Sequence, residues 1–176
     1  MNYLKTTHSI VVQDCKEEAD KEYVKYGIDT DQGFKGIKYT GFKLDAKGLK
    51  AFQDLIPEQY QDQFNMSLMS ISSDILPHTD SNTKTVINLY IETGDYVTSF
   101  CKPKPNAKHF KLPAQTDGVA FSFDDVDLNE SFIAKPGEVY VLRVDQLHCV
   151  HSGQGNRTAL NYATNLPFEK VVEILS

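Results

Sequence analysis

Two textures divide the chain. From residue 65 onward, short β-rich runs follow one another: MSLMSI, TVINLYI, YVTSFC, GVAFSF, ESFIA, EVYVLRV, LHCVHS and RTALNYAT. Clusters such as SSD, TGD, KPKPN, FDDVD, KPGE and SGQGN separate them, and these are turn-forming compositions. Strand after short strand with no helical period between predicts a sandwich or barrel. The first third reads differently. His8 to Val12 predicts a short strand, and Asp14 to Tyr26 a helix, acidic at its start and lysine-bearing toward its end, as the helix dipole favours. Gly33 to Leu44 is glycine-punctuated and predicts one or two strands near a turn. Between Asp45 and Phe64, Leu49, Phe52, Leu55 and Ile56 form a helical stripe that Pro57 ends. Phe168 to Leu175 suits a closing helix or a strand. The expected fold is mainly β (α+β), with N-terminal helices packed outside a jelly-roll-like core.

Length and charge narrow the function classes. At 176 residues the chain is expected to be a single domain, 1–176, large enough to bury a core without disulfides. Its net charge of −6 argues against a nucleic-acid or membrane-surface binder. No apolar run reaches the ~18 residues of a membrane span, and the start MNYLKTTHSIVVQD lacks the pattern of a signal peptide. Cys15, Cys101 and Cys149 are odd in number and widely spread. A reducing, cytoplasmic setting is expected. Only two basic residues, Arg143 and Arg157, are arginine. A chain that writes its cations as lysine can still reserve arginine for a site needing a planar, permanently charged fork.

The segment ILPHTDSNTKTVINLYI holds His78 and Asp80 two positions apart, just before a β run. On an extended chain that spacing puts imidazole and carboxylate on one face. A third ligand from a distant strand would complete a two-His, one-carboxylate triad, which leaves open positions on a ferrous ion. His148 and His151 in QLHCVHSGQGNR are the candidates. Chance alone supplies about 0.4 His-x-Asp pairs at this composition, so the pair is a weak signal by itself. A histidine followed nine positions later by one of two arginines, as His148 is by Arg157, is expected only about 0.06 times.

The order His78-x-Asp80, His148, Arg157, with KPGEVYVLRVDQLHCVHSGQGNR as its distal block, resembles the 2-oxoglutarate- and Fe(II)-dependent oxygenases. The similarity is to their small phage or bacterial members related to prolyl and aspartyl/asparaginyl hydroxylases, and it covers roughly residues 65–164. It implies a double-stranded β-helix over that range and a hydroxylase using Fe(II), 2-oxoglutarate and dioxygen. It implies His78, Asp80 and His148 as iron ligands and Arg157 as the clamp on the distal carboxylate of 2-oxoglutarate, with Thr158 lending a hydroxyl. His148 is preferred over His151 because the two face opposite ways on one strand, and His148 fits the family's His-x-Val and its spacing to arginine. Asn88 and Tyr90 are expected to line the cosubstrate pocket. The alternative is that Ile87, Leu89 and Ile91 face the core while Asn88 and Tyr90 face water.

Cys149 reads as a packed strand residue, and Met66 and Met69 read as core. Lys102, Lys104, Lys108 and Lys111, with Pro103 and Pro105, read as a solvated loop. The expected substrate is an amino-acid side chain, free or peptidyl, or a small metabolite. Two other readings stand beside this one. A cupin-like metalloenzyme without 2-oxoglutarate usually draws on more histidines than lie near the pair. A non-catalytic jelly-roll module would make the motif a coincidence.

Overall fold

The computed structural model describes residues 1–26, 28–29, 37–40, 47–111 and 118–176. Strands β1 (Tyr3–Ser9), β2 (Ile28–Asp29), β3 (Ile37–Thr40), β4 (Asn65–Ile71), β6 (Thr85–Glu92), β9 (Glu138–Arg143) and β11 (Arg157–Thr164) form a seven-stranded sheet in the order β1-β9-β6-β11-β4-β3-β2. Strands β5 (Ile75–His78), β7 (Val97–Pro103), β8 (Val126–Ile133) and β10 (His148–His151) form a second sheet, ordered β5-β10-β7-β8. The ladders are antiparallel. This is the expected jelly roll, mainly β.

Among the described residues, three α-helices complete it: α1 (Gln13–Tyr26), α2 (Lys47–Gln53) and α3 (Phe168–Ile174). One apolar layer packs Cys15 and Ala19 of α1, Phe52 of α2 and Val171 of α3 against Ile87, Leu89, Val141 and Leu160 of the larger sheet. A second layer lies between the sheets, joining Met69, Val86, Tyr90 and Leu142 to Ile75, Phe100 and Val150. Strands β6 and β11 are therefore covered on both sides. Their odd and even residues go to different layers, because successive side chains point to opposite faces.

Some elements depart from expectation. The first strand is Tyr3–Ser9 rather than His8–Val12, because its pairing with β9 begins at Tyr3↔Leu142. GVAFSF is not a strand: Ala120 bridges to His78 and Phe110, and a 3₁₀ turn covers Phe123–Asp125. Past Gln53 the helical stripe gives way to a turn and a 3₁₀ helix over Glu58–Gln63. β5 is four residues long and contains Pro77, too short and too interrupted to read from pattern. Phe168–Ile174 is a helix. Residues 33–36, 41–44 and 45–46, parts of the expected strand and helix segments, lie outside the described residues.

Leu160 is fully buried in the helix–sheet layer, whereas Leu128 on edge strand β8 is 49% exposed. Leu160→Ala is expected to lower the unfolding free energy by about 2–5 kcal/mol. Leu128→Ala should change it by less than about 0.5 kcal/mol. Urea denaturation of the two variants checks the layering.

Candidate active site

β5 and β10 pair with His78 opposite His148, and their ring centroids lie 4.4 Å apart. Beyond His78 the chain is fastened on two sides. The Thr79 amide donates to the Val119 carbonyl, and the Asp80 amide donates to the Val144 carbonyl, each at 2.9 Å. That anchoring turns the Asp80 carboxylate toward the histidines. Its Oδ1 is 3.2 Å from His78 Nε2 and 3.7 Å from His148 Nε2. The three donor atoms all lie within 4.8 Å of one another.

The partners of the other ring nitrogens fix what these atoms offer. His78 Nδ1 lies 2.8 Å from the Leu76 carbonyl, and His148 Nδ1 lies 2.9 Å from the Gln146 carbonyl. A carbonyl oxygen only accepts, so each Nδ1 carries the proton. The other ring nitrogen of each, Nε2, is turned toward the Asp80 carboxylate. Two imidazole nitrogens and a carboxylate oxygen converge there, a donor set that could hold a metal ion. A first-row metal bonded at roughly 2.1 Å spans donors about 3–4 Å apart, so this set fits one. Two imidazoles and one carboxylate suit Fe(II) with positions left open. Burial, then the neighbouring His78, pushes the His148 imidazole down to about 4 against the pull of Asp80. For Asp80, burial acts upward, but the two imidazoles outweigh it and hold the carboxyl below its usual value.

The triad opens on a cavity of about 250 Å³ between the sheets, lined by apolar Ile71, Ile75, Leu142 and Val150 and by polar Asn88, Thr98, Asn161 and Arg157. Arg157 is only 3% exposed. Its Nη1 donates to Thr98 Oγ1 at 2.8 Å and its Nη2 to the Tyr90 hydroxyl at 2.6 Å, while the guanidinium sits 4.6 Å from the Tyr90 ring centroid. Its Nε is buried without a hydrogen-bond partner. Among the described residues no carboxylate pairs with it. A buried, permanently charged group with neutral partners is costly. An anion entering the cavity would supply the missing counter-charge, and a carboxylate fits that fork.

Each expected site residue can be placed. His78, Asp80, His148, Asn88 and Arg157 all line the one cavity. Tyr90 acts through Arg157 and is not a lining residue. Asn88 and Tyr90 do not face water, because the face opposite Ile87, Leu89 and Ile91 is also buried, at 3% and 0% exposure. Thr158 is a correction. Alternation carries it away from Arg157 onto the face of β11 bearing Leu160 and Tyr162, and it does not line the cavity. The hydroxyl beside Arg157 comes instead from Thr98 on β7. His151 points away from Asp80, with Nε2 2.8 Å from Ser99 Oγ and Nδ1 2.9 Å from Ser152 Oγ. Asn161, whose amide donates to Asn88 Oδ1 at 2.7 Å, was missed. Its signal was the period of two from Arg157 along β11. Lys102, Lys104, Lys108 and Lys111 are exposed.

The His148 shift has a definite sign. The unfolded chain takes up a proton near pH 6.5 and the folded one only near 4. Stability from this group is fully present above the unfolded value and is lost as pH falls toward 4. The metal-free protein is expected to lose on the order of 3 kcal/mol across that window. His148→Gln should flatten the slope, as urea midpoints measured against pH would show.

No protein-family model and no curated protein sequence matches the chain. Solved structures do. A prolyl-4-hydroxylase from Pseudomonas putida aligns with a TM-score of 0.54 at 10% identity, over 93% of this chain and 91% of its own. The epimerase SnoN, solved with Fe3+, alpha-ketoglutarate and nogalamycin RO, gives 0.56 at 11% identity, over 92% and 78%. A 2OG-Fe(II) oxygenase family oxidoreductase from Burkholderia pseudomallei gives 0.50 at 10% identity, over 92% and 84%. At these identities the likeness is one of architecture. The chain thus shares its jelly-roll architecture with these three solved structures.

Proposed function

We propose that this chain is a non-haem Fe(II), 2-oxoglutarate-dependent dioxygenase, a hydroxylase of an amino-acid side chain or a small metabolite. One observation carries the reading: a single cavity joins three converging metal donors to a buried guanidinium that has no carboxylate partner among the described residues. A metal site alone would equally suit a cupin-like enzyme, and a structural module needs neither feature. The arginine favours a carboxylate cosubstrate.

In this reading His78 and His148 bind the metal through Nε2, held in that tautomer by the Leu76 and Gln146 carbonyls. Asp80 supplies the anionic ligand. A ferrous ion held by these three residues would supply dioxygen activation, with 2-oxoglutarate as the two-electron reductant that ends as succinate and carbon dioxide. Arg157 receives the distal carboxylate of 2-oxoglutarate in a charge-assisted pair. Thr98 and Tyr90 hold the guanidinium in place, and Asn161 steadies Asn88 beside it. Ile71, Ile75, Leu142 and Val150 give the cavity an apolar part of its wall, and a less hydrated wall strengthens the pairing. The substrate reading rests on the net charge of −6, which gives little of the counterion-displacing affinity of a duplex binder.

His78→Ala, Asp80→Ala and His148→Ala are each expected to weaken Fe(II) binding strongly and end turnover, while His151→Ala keeps the metal. Calorimetric metal titration checks this, and an exchange of the two histidine outcomes would overturn the assignment. Arg157→Lys is expected to keep iron but raise the 2-oxoglutarate concentration needed for succinate formation. A bidentate fork becomes a point contact, costing about 1.5–3 kcal/mol, or roughly ten- to a hundredfold. An unchanged requirement in a folded variant contradicts the cosubstrate assignment.

A further inference from the structure

We propose that Cys101 and Cys149 are a reversible dithiol/disulfide site whose closure weakens the metal site from the opposite face of strand β10; the metal half of this inference rests on the function proposed above.

The two thiols sit on neighbouring antiparallel strands, Cys101 on β7 and Cys149 on β10, where Cys149 lies opposite Ser99 and His148 opposite Phe100. The Cys101 amide donates to the Leu147 carbonyl at 2.9 Å, which holds that end of the ladder. Both side chains leave the sheet on its outer face, packed with Phe121, Val126 and Leu147. Their sulfurs are 3.6 Å apart and both are free thiols. A disulfide requires about 2.05 Å, so closure asks each sulfur to move by less than about 1 Å. Cys15, on α1, lies in the other apolar layer.

Cys149 is fully buried and Cys101 is 8% exposed, so in the proposed sequence Cys101 is the thiol that reacts first with a small peroxide. That sulfur attacks the O–O bond, giving a sulfenic acid and one water. The Cys149 sulfur then displaces the hydroxyl from the sulfenic sulfur, forming the S–S bond and releasing the second water. Two thiols and one hydrogen peroxide thus yield one disulfide and two waters, each sulfur losing one electron.

The consequence for the site follows from strand alternation. His148 directly precedes Cys149, and its ring lies on the inner face with Nε2 3.7 Å from Asp80 Oδ1. Closure draws the Cys149 end of the intervening peptide toward β7. Phe100 and Val150 pack on that inner face, and the His148 Nδ1 is tied to the Gln146 carbonyl at 2.9 Å, which couples the ring to the backbone next to Cys149. The His148 ring therefore moves with the strand, and metal sites tolerate displacements of only about 0.5 Å.

The test uses the metal-free full chain, treated with one equivalent of hydrogen peroxide that is then removed. The expected result is loss of two of the three thiols, a tryptic species joining the Cys101 and Cys149 peptides, and its disappearance with dithiothreitol. Anaerobic Co(II) titration should then show affinity reduced roughly 2- to 30-fold, restored by the reductant. Cys101→Ala should show neither the link nor the loss. Thiols that stay unlinked, or a link through Cys15, would overturn the site, and the unmodified chain decides this even if the variant does not fold. A clean link with unchanged Co(II) affinity would overturn the coupling. Absence of Co(II) binding before treatment counts against the metal reading and the coupling with it, while the linked peptide still decides the dithiol site.

Discussion

Burial of β6 and β11 on both faces is the constraint from which the site follows. With helices on one side and the second sheet on the other, neither strand has a solvent face on which to place polar residues. Alternation sends Ile87, Leu89, Leu160 and Tyr162 under the helices, and Tyr90 and Ala159 into the layer between the sheets. Asn88, Asn161 and Arg157 share that second face and line the cavity. Polar groups in that position must satisfy one another or a ligand. The two asparagines, Tyr90 and Thr98 do so largely among themselves and with Arg157. The guanidinium charge has no such answer among the described residues.

The cavity thus holds two complementary electrostatic deficits. At the triad, acceptor atoms converge and call for a cation; at Arg157, a buried cation calls for an anion. The effects are linked, since the arginine's charge adds to the forces lowering the His148 proton affinity. A ligand that is anionic at Arg157 and chelating at the metal would answer both. That coincidence, more than the fold, supports the functional reading, because jelly rolls serve many unrelated functions.

Much of this was legible in the sequence, for physical reasons. The run of short β segments reflects strands half or fully buried, and the helical stripe at Leu49 and Phe52 reflects packing of α2 on the sheet. His78 and Asp80 share a face as a two-residue spacing requires, and the three-residue spacing of His148 and His151 does separate them. What failed depended on distant partners. GVAFSF has the composition of a strand, but its pairing is confined to isolated bridges at Ala120, made by backbone hydrogen bonds of Val119, Ala120 and Phe121 to Thr79, Phe110 and Pro77. β5 is recognisable only through its pairing with β10. Thr158 adjoins Arg157 in sequence, yet one residue along a strand is the wrong face, and Thr98 reaches the arginine from the facing sheet. Sequence adjacency misled there, and only the inter-sheet register could supply the partner.

In the proposed function one cavity binds a metal through His78, Asp80 and His148 and a 2-oxoglutarate carboxylate through Arg157. The most direct test of this needs no substrate: anaerobic addition of 2-oxoglutarate to the Fe(II)-loaded protein, followed by visible absorption. A metal-to-ligand charge-transfer band that saturates at one equivalent of each, and is absent without either, is the predicted result. Iron bound tightly with no such band at saturating 2-oxoglutarate would contradict it.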